Sequence, residues 1–333
     1  MAKAKIRGLD CAASADAMIR LVLRAQVNEL CKHREKAIAW KDPEGVHDMR
    51  VLSRRLRSSI NDFKTYFRKG SLPRPALRSI ADNLGTVRDI DVELIALHEL
   101  KSEARGDAAE GIKLLMAEWK RQRRAARVKL KAAIDPSATT EFRKQFLAKL
   151  QIITISVPAA APPDQIAPAV ASFRDLGVRV IDARLRDFIR ASPSLYRPYD
   201  IKKLHELRIL AKRLRYSMEL FAPCLGKELA ANAKEVAHMQ TSLGELHDCD
   251  VWIRDLGARL KRPSRKTMPE PNAEKLKAGA TWLLKHFATE RMQHYADAVA
   301  RLEQWETNGF FEQIKSLLVI ETPAPAVEAA SAA

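Results

Sequence analysis

Residues 47–63, HDMRVLSRRLRSSINDF, return 158 positions later as residues 205–221, HELRILAKRLRYSMELF. His47 is matched by His205, Arg50 by Arg208, Arg54 by Lys212, Arg55 by Arg213, Leu56 by Leu214, Arg57 by Arg215 and Phe63 by Phe221. Asp42 and Asp200 share the offset. A second pair of blocks follows, LGTVRDIDV at 84–92 and LGELHDCDV at 243–251, now 159 positions apart. Two blocks in the same order at nearly one spacing predict a duplicated unit.

Within each copy the period is helical. At about 100° per residue, Met49, Leu52, Leu56, Ile60, Phe63 and Phe67 share one face. Leu207, Leu210, Leu214, Met218 and Phe221 do the same in the second copy. Asp42 before Pro43 is a helix start, because Asp accepts the first amides and Pro suits the first turn; Asp200 is placed to cap the matching helix. Helical segments are expected at about 12–38, 43–69, 74–104 and 108–150, the last broken at Asp135-Pro136. Their partners are about 168–191, 201–222, 227–261 and 272–320, the last broken at Asn308-Gly309.

The fold expected is therefore all-α, two four-helix bundles from an internal duplication. The halves are 1–155 and 169–320. Four prolines in SVPAAAPPDQIAPAV, residues 156–170, cannot continue a helix and mark 156–168 as a linker. The tail at 321–333, ETPAPAVEAASAA, has no bulky apolar residue and is expected to be disordered.

Composition agrees. The chain has 333 residues, 47% hydrophobic and 30% charged, with only 12 glycines. Fifty-eight Lys and Arg against 41 Asp and Glu leave a net charge of +17, which calls for a polyanionic partner. No apolar run approaches the roughly 20 residues of a membrane helix, and the N-terminus lacks a signal-peptide core. A cytoplasmic protein with no membrane partner is expected. Cys11, Cys31, Cys224 and Cys249 have spacings that fit neither a zinc site nor a disulfide framework, so reduced thiols are expected.

The charge is patterned. His47, Arg50, Arg54 and Arg57 follow steps of 3, 4 and 3, roughly opposite the apolar face. His205, Arg208, Lys212 and Arg215 repeat the row. Like charges one turn apart cost helix stability, so an uncompensated row present in both copies points to a fixed polyanion. These eight are the expected anion-binding residues. Arg55, Arg213 and Arg88 are secondary, placed to reach the anion or to pair with acids. His47 and His205 are expected to donate to the anion and not to hold a metal, because i+3 is Arg in both copies.

Asp89 and Asp91, like Asp248 and Asp250, stand at i and i+2, on different faces. They are expected to orient neighbouring arginines. Gly85 and Gly244 are expected at close helix packing. The basic run KRQRRAARVKLK, 120–131, is expected to be a solvated face or to steer anions peripherally. Tyr216 is expected to be a packing aromatic. No P-loop, no H-E-x-x-H and no nucleophile with its base and orienter is present, so no catalytic residue, metal or cofactor is expected.

The four blocks, in their order and spacing, resemble the CHAD family, the conserved histidine α-helical domain. The resemblance spans about residues 12–320. It implies two bundles related by a pseudo-two-fold axis around a basic central cavity, and binding of inorganic polyphosphate with recruitment to polyphosphate granules. Carried over, the cavity lining is His47, Arg50, Arg54 and Arg57 with His205, Arg208, Lys212 and Arg215. The halves depart from symmetry where Arg88 meets His247. The expected function is non-catalytic polyphosphate binding. The alternatives are a protein that grips RNA or DNA by the backbone, for which only 6% aromatic residues speak poorly, and a histidine-dependent phosphotransferase or phosphatase.

Overall fold

The computed structural model describes residues 2–67, 71–152, 172–261 and 270–319. Eleven α-helices are placed among them: α1 (Ala15–Lys32), α2 (Arg34–Ala39), α3 (Glu44–Asp62), α4 (Arg74–Leu100), α5 (Gly106–Ala133), α6 (Pro136–Ile152), α7 (Phe173–Ala191), α8 (Ile201–Leu225), α9 (Lys227–Lys261), α10 (Glu270–Thr307) and α11 (Phe310–Ser316). The described residues form no strand. One isolated bridge joins Ser14 and Ser172, and there Phe173 N–H donates to the Ala13 carbonyl.

Local chemistry sets the ends. Asp42 Oδ1 accepts from Glu44 N (2.8 Å) and Gly45 N (3.2 Å) to open α3, and Asp200 Oδ1 accepts from Lys203 N (3.2 Å) to open α8. Ser172 and Asp175 form a reciprocal capping box on α7. Gly309, at φ 64°, separates α10 from α11 as expected. Two boundaries differ from expectation. The 12–38 segment breaks at His33, whose Nδ1 meets the Glu29 carbonyl at 3.0 Å. The 43–69 segment stops as α-helix at Asp62 and turns through a short 3₁₀ stretch, leaving Phe67 off the helical stripe.

The apolar stripes are buried as their period predicts. Met49, Leu52, Leu56, Ile60 and Phe63 are buried on α3, and Leu207, Leu214, Met218 and Phe221 on α8; Leu210 is only partly covered. α1 packs on α3, α3 on α4, and α4 on α5; α7 packs on α8, α8 on α9, and α9 on α10. Corresponding helices also meet across the halves, α1 with α7, α3 with α8 and α5 with α10, so one apolar core runs through both. The backbones of α5 and α10 touch at Gly111 and Gly279. A Cβ on Gly111 would lie 1.9 Å from the Lys275 carbonyl oxygen. Trp119 of α5 stacks on Trp252 of α9, with centroids 5.9 Å apart.

The cysteine expectation needs correction. Cys11 and Cys224 form a disulfide with Cα atoms 5.3 Å apart and a sequence separation of 213. The segment before α1 makes the pairing: Ala4 is buried, Ile6 and Leu9 pack on the core, and Lys3 Nζ donates to the Glu219 carbonyl (3.4 Å). That strap carries Cys11 to the C-terminal end of α8, a juxtaposition that sequence spacing does not encode. Cys31 and Cys249 are free, and burial raises both thiols, to about 11 and about 12. Among the described residues no helix is long and apolar enough to cross a membrane. The linker assigned to 156–168 and the tail assigned to 321–333 lie outside the described residues.

Candidate functional site

α3 and α8 pack together, and their cationic rows converge. Arg50 has Arg54 and Arg208 as charged neighbours, and Lys212 has Arg54, Arg208, Arg50 and Arg213. Four of the expected residues, two from each helix, thus share one cluster. Burial, first, and then these guanidinium groups hold the Lys212 ammonium down to about 7. Arg54 Nε is a buried donor without a hydrogen-bond acceptor among the described residues.

Carboxylates from the neighbouring helices reach the cluster one per half. Arg50 Nη1 lies 3.1 Å from Asp89 Oδ1, and Arg208 Nη2 lies 4.0 Å from Asp248 Oδ1. The second aspartate of each block faces the next helix. Asp91 holds Arg123 (3.4 Å) and Arg127 (3.8 Å) of α5, and Asp250 holds Arg291 (2.6 Å) of α10. The i, i+2 spacing therefore splits each pair between two tasks, as its opposite faces require. Gly85 and Gly244 do not bring helix backbones together as expected. A Cβ on Gly85 would stand 3.0 Å from Arg50 Nη1, and one on Gly244 would stand 3.7 Å from Arg208 Nε. The missing side chains leave room for the two guanidinium groups.

The histidines are partly buried at the start of each row. Burial and then Arg88 pull His47 below its ordinary pKa; burial, Arg208 and Lys212 do so for His205. His205 Nδ1 lies 3.3 Å from His247 Nδ1, and burial with Arg208 pushes His247 down to about 4. His247 thus contributes a contact where its counterpart Arg88 instead faces Glu44 at 4.0 Å. Among the described residues no group of three or more His, Cys, Asp or Glu side chains is placed to hold a metal ion.

The outer positions separate. Arg57 is exposed. Arg215 is 3% exposed, pairs with Glu219 at 3.5 Å and lies over the Tyr216 ring. Arg55 meets the same Glu219 at 2.6 Å and the same ring at 4.8 Å. Of the two expected roles for Arg55, the structure gives the acid partner. Arg213 stands near Lys212 and Asp62. Glu219 is the member that sequence reasoning missed; the Tyr216 hydroxyl is buried and has no hydrogen-bond partner among the described residues. Glu219 stands at i+4 from Arg215, a pattern that announces an ion pair.

The fold and this cluster define an all-helical protein that gathers cations from two packed helices. A family model described as the CHAD domain matches residues 21–257, and the chain belongs to that family. The structure is similar to the crystal structure of the CHAD domain from the plant Ricinus communis, at 20% identity, with 95% of each chain covered and a TM-score of 0.61. It is also similar to PptA from Streptomyces chartreusis, at 16% identity, covering 85% of this chain and 100% of that one, with a TM-score of 0.57. No curated protein matches the chain.

Proposed function

We propose that this protein binds inorganic polyphosphate without catalysis, in a basic cavity between two duplicated, pseudo-two-fold related bundles, and that this binding takes it to polyphosphate granules in the cytoplasm. The observation that carries the reading is the convergence of Arg50, Arg54, Arg208 and Lys212 from both helices. A lysine whose pKa is held near 7 by burial and four arginines belongs to a cluster with surplus positive charge. A polyanion relieves that surplus, and buried donors such as Arg54 Nε gain acceptors. Each phosphate carries about one charge and no base, so rows of guanidinium and ammonium groups follow it by charge and hydrogen bonds alone. The matched pairs Arg50–Asp89 and Arg208–Asp248 support a duplicated site.

The test is binding of labelled long-chain polyphosphate to the wild type and to the Arg50→Ala/Arg54→Ala/Arg208→Ala/Lys212→Ala variant, at two salt concentrations, with RNA as competitor. Tight binding that resists RNA, weakens with salt and collapses in a variant of unchanged helical content is expected. Equal binding by the variant overturns the site, and displacement by RNA at matched phosphate concentration overturns the ligand.

A further inference from the structure

The basic run at 120–131 is not a plain solvated face. Its residues Lys120, Arg123 and Arg127 line a cleft of about 430 Å³ with Trp40, Lys41, Leu94, Ile95 and Met116. That volume is in the range of small-molecule sites. Arg127 lies over the Trp40 ring at 4.6 Å. Trp40 itself sits at φ 54°, a left-handed conformation that non-glycine residues adopt only where the surroundings enforce it, often beside a ligand.

The polar floor is incomplete. Asp91 is 3% exposed, and both arginines approach its Oδ1. Its Oδ2 and Arg127 Nε are buried with no hydrogen-bond partner among the described residues. The other half is finished differently. There Asp250 is taken by Arg291, whose second nitrogen donates to the Pro198 carbonyl at 2.6 Å. Pro198 is the residue 158 positions after Trp40. In the first half the same place holds an indole, and the cleft stays open beside it.

We propose that this cleft binds a purine nucleotide, a second site separate from the cationic cluster of α3 and α8. The flat base lies on the apolar wall of Leu94, Ile95 and Met116 beside Trp40. Its amino edge donates to Asp91 Oδ2, the buried acceptor without a partner. The phosphates meet Lys41, Lys120 and Arg123. Against these cations and Arg127 stand only two lining carboxylates, Asp91 and Asp42, and Asp42 is engaged in capping α3. A bare phosphate chain would use the cations and leave both the apolar wall and Asp91 Oδ2 unused, so the nucleoside is the part of the ligand that the cleft selects.

Isothermal titration of the full chain with ATP and with GTP, and with inorganic triphosphate as the control without a base, tests this. At least one nucleotide is expected to bind tenfold or more tightly than triphosphate. Trp40→Ala is expected to remove that advantage and Trp40→Phe to keep most of it, with long-chain polyphosphate binding unchanged in both. Ile95→Glu alters a residue 45% exposed. It charges the apolar wall and is expected to give the same loss, should Trp40→Ala lose helical content. Nucleotides binding no better than triphosphate overturn the site. So does nucleotide binding that survives Ile95→Glu, or that disappears in the fourfold variant of the cationic cluster. Failure of polyphosphate to bind leaves the nucleotide and triphosphate arms readable, because they do not depend on it.

Discussion

His205 and His247 meet through their Nδ1 atoms at 3.3 Å, their rings 4.3 Å apart between centroids. At that distance one nitrogen donates and the other accepts, which requires at least one neutral ring. Burial first, and then Arg208 and Lys212 on α8 and Arg254 on α9, lower both imidazoles, and Glu206 is the opposing charge on His205. In the free protein both imidazoles are expected to titrate below 6.5, His247 near 4. Imidazole resonances followed by NMR against pH check this. Added polyphosphate is expected to move both midpoints upward, since an anion favours the charged ring.

Lys212 gives a second pH signature. Its folded pKa is about 7 against an ordinary 10.5, so between those limits the unfolded chain binds the extra proton and stability rises with pH. Polyphosphate restores the charge, so binding at pH 8 is expected to take up close to one proton from solution. Titration calorimetry in buffers of different ionisation enthalpy measures it. Lys212→Met is expected to abolish most of that uptake, weaken binding several-fold and raise the thermal midpoint of the free protein at pH 8.

The two glycines facing the arginines are expected to behave unequally. Gly85→Ala removes a helix-interior glycine, a gain of roughly 0.5–1 kcal/mol, while pressing a methyl 3.0 Å from Arg50 Nη1. Unchanged or raised stability with several-fold weaker polyphosphate binding is expected. Gly244→Ala, at an ordinary 3.7 Å from Arg208 Nε, is expected to leave binding unchanged. Denaturation and binding curves on the two variants separate the cases.

Glu93 accepts from the Trp119 indole N–H, and burial raises its carboxyl to about 7. A raised acid stabilises the fold fully below its unfolded pKa and loses that contribution as pH rises through the folded value. Glu93→Gln keeps an acceptor without the charge. It is expected to raise stability above pH 7 by on the order of 1 kcal/mol after solvent screening, read as a higher thermal midpoint, and to change little at pH 4. A midpoint that shifts equally at both pH values overturns the assignment.

The helices were legible because their apolar residues keep a 3.6-residue period, and capping residues such as Asp42 and Asp200 punctuate it. The orienting role of Asp89 and Asp248 was legible for a related reason. The repeated blocks showed that these aspartates orient arginines, while the particular arginine each one takes came from the packing. Other features depend on chain segments brought together only by packing. The convergence of Arg55 and Arg215 on Glu219, the meeting of His205 with His247 and the stacking of Arg127 on Trp40 are of this kind. Helix periodicity fixes which face a residue occupies but not which distant segment covers that face. The break at His33 was missed because the residues around it are good helix formers, and nothing local marks the interruption.

The Cys11–Cys224 bond gives the polypeptide a topology that its helices do not reveal. Oxidised, the chain is a covalent ring from position 11 to position 224 with two open ends. A protease that cuts once inside the ring cannot divide the molecule, since the pieces stay tethered through sulfur. A cut beyond position 224 frees the part carrying α9, α10 and α11 as soon as packing lets go. With the bond intact, α3 and α8 therefore remain on one covalent body after any single nick. Reduction turns the same nick into a separation.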